Sequence, residues 1–148
     1  VSGVFSPRQR KVYESVLKVF KHAKNEMVEG NTLKDIQDSV VMCMEKELVH
    51  LGLIKAKDLL DQNPEEPLYK KYFMHGTAHF MGLDVHDVGD RKRPLRNGMV
   101  LTCEPGIYIE DEGMGVRIEN DVLINGDFPI DLMEGVPIEV EEIERLMA

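Results

Sequence analysis

Three of the chain's five histidines lie between His75 and Gly89, in the segment HGTAHFMGLDVHDVG. Two single glutamates, Glu104 and Glu119, follow in apolar stretches further along the chain. Imidazole and carboxylate groups together suit divalent ions such as Mn, Co, Fe or Zn, whereas an all-oxygen set suits Mg or Ca. The pattern therefore indicates a metal site. The two cysteines, Cys43 and Cys103, are not expected to take part in it.

The two glutamates also have an ordinary structural interpretation. Arg117 lies two residues before Glu119, so this pair is equally consistent with an ion pair on the surface. Glu104 differs because apolar residues flank it, and a buried carboxylate is costly unless a cation or metal compensates its charge. The residues alone leave both interpretations open.

The spacing of His75 and His79 matches the helical HExxH motif of zinc proteases only in part. Gly76 stands next to His75, where that motif has its glutamate. Gly76 and Gly82 also disfavour a helix here. A zinc-protease helix is therefore rejected.

Length and composition limit the possible functions. A chain of 148 residues forms one ordinary domain. With 18 basic and 27 acidic residues, its net charge of −9 disfavours nucleic acid as a partner. We interpret the basic run at 91–93 as a solvated turn. No apolar run approaches the ~20 residues of a membrane span, and two cysteines provide no disulfide framework. A cytoplasmic protein is expected.

Helical patterns come first and strand patterns follow, which indicates an α+β fold. Ser6 and Pro7 predict the start of a helix that continues to about Met27. Thr32 and Asp35 predict a capping box for a second helix that ends near Gly52. Shorter helices are expected at 68–72 and 138–147.

Two strands are predicted at 99–109 and 116–124, joined by an acidic turn into an antiparallel hairpin. Side chains alternate between the two faces of a strand. Thr102 and Glu104 therefore share one face, and Arg117 and Glu119 share one on the partner strand. Both glutamates can then face one pocket.

Three separated blocks resemble the pita-bread (M24-type) metallopeptidases, and within them the Xaa-Pro aminopeptidase (aminopeptidase P) branch. The blocks are HGTAHFMGLDVHDVG from His75, LTCEPGIY from Leu101 and GVRIENDVLI from Gly115. The opening GVFSPRQRKVYESVL from Gly3 is also similar, so the resemblance covers the whole chain. It implies a pita-bread fold, in which helices pack on one face of an antiparallel sheet.

The resemblance also implies roles for individual residues. His79, Glu104 and Glu119 resemble three of the five ligands of a two-metal centre, with Glu119 bridging both ions and Glu104 also acting as general base. Manganese is the expected metal, with cobalt or zinc as alternatives. Two ions ~3.5–4 Å apart lower the pKa of a shared water, which then attacks a peptide carbonyl.

The remaining roles concern substrate and support. His75 and His86 match histidines that line the substrate site, where His86 is expected to stabilise the tetrahedral intermediate and assist proton transfer. Four residues match supporting positions: Tyr108, Arg117, Asp84 and Asp87. The expected substrate is a peptide with proline in second position, and the full-length protein is expected to be a homo-oligomer.

The family's other two ligands are aspartates upstream of the segment that matches Gly3, and no aspartate precedes Asp35 here. We therefore expect residues 1–148 to be the C-terminal portion of a catalytic domain, incomplete at its N-terminus. Weak or no metal binding and no activity are expected of this piece alone. Two alternatives stay open: a prolidase, which cleaves Xaa-Pro dipeptides, and a non-catalytic module that binds peptides or proteins.

Overall fold

Two long helices open the chain and five short strands follow near its end in the computed structural model, which describes residues Val1–Ala148. The helices are α1 (Pro7–Glu26), α2 (Leu33–His50), α3 (Ala56–Leu60) and α4 (Val140–Met147), with 3-10 turns at Leu68–Lys71 and Glu110–Glu112. The strands are β1 (Val100–Cys103), β2 (Gly106–Ile109), β3 (Met114–Arg117), β4 (Asn120–Leu123) and β5 (Ile130–Asp131). No helix is both long and apolar enough to cross a lipid bilayer.

The ends of α1 and α2 confirm the predicted caps. The Ser6 side chain accepts from the main-chain N–H of Gln9, and Gln9 returns a bond to Ser6, which completes a capping box. Thr32 and Asp35 form the predicted capping box of α2. Two shorter helices differ from the prediction. α3 was not predicted, and α4 begins at Val140 instead of residue 138.

The predicted hairpin has the right partners but not the predicted continuity. β1 pairs with β4, β2 pairs with β3, and the two pairs belong to separate sheets, with β5 at the edge of the first. The breaks fall at 104–105 and 118–119. Pro105 has no N–H to donate to a ladder, which is the physical reason for the first break.

The register is the same on both sides of the break. Cys103 pairs with Asn120 and Gly106 pairs with Arg117, so Glu104 lies opposite Glu119. The two glutamates were predicted to lie inside regular strands. They lie instead at facing interruptions of the ladder.

The core lies between the helices and the strands. α1 packs against α2, α4 and strands β1 to β3, so its apolar face is buried along its whole length. The helical residues that carry this packing are fully buried: Val12, Val16, Val19, Phe20, Ala23, Ile36, Val40, Met44 and Leu48. Strand residues Leu101, Ile107 and Val122 meet them from the sheets. This packing holds β1 and β2 against α1.

Candidate active site

Three residues from distant parts of the sequence meet in one cluster. Ligand atoms of His79, Glu104 and Glu119 all lie within 4.8 Å of one another. His79 Nε2 is 3.3 Å from Glu104 Oε1, and these two side chains are only 16% and 14% exposed, whereas Glu119 is 38% exposed. One imidazole and two carboxylates form a donor set that fits a divalent transition metal.

Main-chain hydrogen bonds hold two of these residues together. The N–H of Thr102 donates to the carbonyl of His79 at 3.1 Å, and the N–H of His79 donates to Thr102 Oγ1 at 3.1 Å. Phe80 forms an isolated antiparallel bridge with Leu101. The segment around His79 thus lies beside β1 as an irregular extra strand, not as a helix, and places its imidazole next to Glu104.

Arg117 lies beside both carboxylates of the cluster and offsets part of their charge. Its guanidinium is 3.1 Å from Glu119 Oε2 and 4.0 Å from Glu104 Oε2. Burial lowers the pKa of Arg117, but the carboxylate of Glu119 and the hydroxyl of Tyr108 raise it more, so the net pKa is above the ordinary value. The ion pair of Arg117 with Glu119, which was the alternative interpretation of these residues, is therefore present. It forms part of the same cluster.

Tyr108 connects Arg117 to a histidine. Its hydroxyl lies 2.9 Å from His75 Nε2, and the two rings meet edge to face with centroids 5.4 Å apart. The side chain of Tyr108 also lies against two glycines: a Cβ added to Gly106 would approach the hydroxyl oxygen to 2.8 Å, and one added to Gly115 would approach the ring to 2.8 Å. These glycines let the ring lie flat on the paired strands β2 and β3.

We expect Gly115→Ala to lower the free energy of unfolding by about 1–3 kcal/mol, because the new methyl group overlaps the Tyr108 ring. Gly135→Ala is the matched control, since a Cβ there has no neighbour within 4 Å, and we expect it to change stability by no more than about 1 kcal/mol. Thermal or urea unfolding measures both. Equal effects of the two substitutions would contradict the close packing of Tyr108.

His86 reaches the cluster because its loop folds back on itself. The N–H of Asp87 donates to the carbonyl of Phe80 at 3.1 Å. Gly89 lies so close to the Phe80 ring that a Cβ would approach it to 2.1 Å. As a result the rings of His79 and His86 are perpendicular, with centroids 4.3 Å apart.

An open cleft of about 510 Å³ contains these groups. The structure brings together eight of the nine predicted site residues: six line the cleft (His75, His79, His86, Asp87, Glu104 and Arg117), Glu119 lies in the cluster and Tyr108 contacts His75. Asp84 is exposed and does not line the cleft. Sequence reasoning missed Phe80 and Arg91, which also line the cleft. The basic run at 91–93 lies in an exposed turn, as predicted, and Arg91 in addition borders the cleft.

Cys103 lies between Thr102 and Glu104 but points away from the cluster. Its thiol is buried and lies 3.9 Å from the carbonyl of Phe20 on α1. Burial raises the pKa of this thiol far above its usual range, so it stays protonated. Cys103 is therefore part of the core, as expected.

Residues 1–126 match the model of metallopeptidase family M24. The chain belongs to this family. M24 metallopeptidases use divalent metal ions, which agrees with the donor set of the cluster. The match includes every residue of the site described above.

Curated relatives in the family are named Xaa-Pro aminopeptidases. The chain is 42% identical over 159 residues to the Xaa-Pro aminopeptidase of Haemophilus influenzae. The alignment covers 99% of this chain and 36% of that protein. It is 39% identical over 161 residues to the Xaa-Pro aminopeptidase of Escherichia coli, with the same coverage. The chain thus spans about a third of the length of the curated relatives it matches.

Solved structures agree with the predicted fold class. Zinc-substituted Escherichia coli aminopeptidase P in complex with product matches with a TM-score of 0.87 and 38% identity, over 98% of this chain and 35% of that one. Pseudomonas aeruginosa aminopeptidase PepP matches with a TM-score of 0.88 and 37% identity, over 98% and 36%. The α+β pita-bread fold and the aminopeptidase P branch are therefore confirmed.

Proposed function

We propose that the protein containing this chain is a metal-dependent aminopeptidase that removes the N-terminal residue from peptides with proline second. One observation carries the proposal: His79, Glu104 and Glu119 converge within 4.8 Å in a cleft that His75 and His86 also line. The relatives' shared name, Xaa-Pro aminopeptidase, supports the choice of substrate.

Each side chain of the site has a task that its contacts support. His79, Glu104 and Glu119 hold divalent metal, with manganese as the proposed ion. Bound metal supplies Lewis acidity that polarises a carbonyl and acidifies water. Glu104 accepts the proton of the attacking water, and Arg117 keeps the carboxylates of Glu104 and Glu119 in place.

The histidines act on the substrate. The position of His86 beside His79 lets it donate a hydrogen bond to the carbonyl oxygen as negative charge develops there. His75 also lines the cleft, and Tyr108 fixes its ring. A peptide in the cleft therefore meets a proton acceptor in Glu104 and a hydrogen-bond donor in His86, while both ring nitrogens of His75 already contact Gly76 and Tyr108.

We expect His86→Ala to lower kcat by about 10²–10⁴-fold while metal content stays near wild type, because the role of His86 is toward substrate. Steady-state kinetics and elemental analysis of the full-length protein measure the two quantities. His50→Ala, in the last turn of α2, is the control and is expected to change neither. Loss of metal from the His86 variant would make this residue a ligand.

Substrate length separates the two peptidase hypotheses. Full-length protein with Mn(II) is expected to release the first residue from an Xaa-Pro-Xaa tripeptide with a higher kcat/KM than it shows for an Xaa-Pro dipeptide. Product analysis by liquid chromatography measures both rates. A strong preference for the dipeptide would favour prolidase, and no hydrolysis of either peptide would favour a binding module.

A further inference from the structure

Gln37 on α2 makes an unusual double contact with the histidine segment. Its Oε1 accepts a hydrogen bond from the main-chain N–H of Thr77 at 2.8 Å and another from Thr77 Oγ1 at 2.7 Å. Thr77 is only 2% exposed, so few water molecules can replace these bonds. A single side-chain oxygen therefore satisfies both donors of a buried residue 40 positions away.

Thr77 is in turn bonded to a proposed metal ligand. The main-chain N–H of Glu104 donates to the carbonyl of Thr77 at 2.8 Å. Two residues further on, His79 and Thr102 exchange their own pair of bonds. Thr77 is thus one end of a short ladder that aligns His79 with Glu104, and Gln37 is the group that fixes this end.

The helix that carries Gln37 is rigidly placed. Its neighbour Ile36 is fully buried, and so is Val40 one turn later. The capping box of Thr32 and Asp35 fixes the start of α2 at Leu33, four residues before Gln37. The position of the Gln37 oxygen is therefore determined by the core and not by the cleft.

We propose that Gln37 is a positioning residue of the metal site, acting through Thr77 on Glu104 and His79. This role presupposes the proposed metallopeptidase function. Groups that orient metal ligands typically contribute ~10–100-fold to metal affinity. Because Gln37 acts through one intermediate residue, the lower end of this range is expected.

Three variants of the full-length protein test this role. Gln37→Leu removes the acceptor and is expected to weaken Mn(II) binding by about tenfold. Gln37→Glu keeps an acceptor oxygen on a side chain of the same length and is expected to bind Mn(II) like wild type. Thr77→Val removes the hydroxyl donor but keeps the main-chain bond, so an intermediate loss of about threefold is expected.

Gln62 supplies a control for general damage to the fold. Its Oε1 accepts from the N–H of Leu68 and its Nε2 donates to Glu45, both at 3.0 Å, and none of these residues lines the cleft. Gln62→Leu is expected to lower the melting temperature, as Gln37→Leu does, without changing Mn(II) affinity. Isothermal calorimetry with Mn(II) and thermal unfolding of the metal-free proteins measure the two effects.

The outcomes separate this role from the proposed function. If wild type binds Mn(II) and hydrolyses Xaa-Pro-Xaa peptides but Gln37→Leu binds within twofold of wild type, Gln37 has no positioning role. An equal loss of affinity in Gln62→Leu would overturn it as well. If Gln37→Leu does not fold, Thr77→Val decides in the same way. If wild type itself neither binds Mn(II) nor hydrolyses the peptide, the proposed function fails and this role fails with it.

Discussion

Glu104→Gln is expected to reduce kcat of the full-length protein by about 10³-fold or more while the domain stays folded. General-base catalysis alone is typically worth ~10²–10⁴-fold. The amide has nearly the same shape as the carboxylate but cannot accept the proton of the attacking water. The Glu104 main chain also keeps its bond to Thr77, so the fold is expected to persist.

Hydrolysis of an Xaa-Pro-Xaa peptide, metal content and circular dichroism together measure this result. Glu110→Gln is the matched control, because Glu110 is exposed in the turn after β2 and lies outside the metal cluster. We expect that variant to be fully active. Activity of Glu104→Gln within tenfold of wild type would remove Glu104 from the role of general base.

The isolated 148-residue chain is expected to bind Mn(II) at least ~100-fold more weakly than a full-length protein with a complete site, and to hydrolyse no peptide. The cluster in the structure contains three candidate ligand residues, whereas the family resemblance described above implies a two-metal centre with five. Loss of outer partners alone typically costs ~10–100-fold in metal affinity, and the lack of two direct carboxylate ligands costs more.

Calorimetric titration of the isolated chain with Mn(II) measures both affinity and stoichiometry. We expect one weak site at most, since one imidazole and two carboxylates can hold a single ion at high concentration. Substitution of Glu119 by Gln should abolish this residual binding, whereas Glu110→Gln should leave it unchanged. A two-site isotherm with micromolar affinity would show that the three residues suffice.

The sequence alone was enough to predict the elements that depend on near neighbours. The start of α1 at Ser6 and that of α2 at Thr32 follow from caps that act within three residues. The pairing of the two strand segments followed from alternation and a short turn. The residues proposed for the site were predicted from motif blocks that resemble those of the metallopeptidases, and the structure places most of them together.

Other features were decided only by the tertiary structure. The break of the hairpin at Glu104 could have been predicted, because Pro105 is visible in the sequence. The facing break at Glu119 follows only from the pairing of the strands. The place of Arg91 in the cleft depends on how the loop after His86 folds back. The contact of Gln37 with Thr77 spans 40 residues. Hydrogen bonds between residues so far apart in the sequence leave no periodicity or spacing in a single sequence. Each partner has an ordinary local environment, and only the packing of α2 against the histidine segment brings them together.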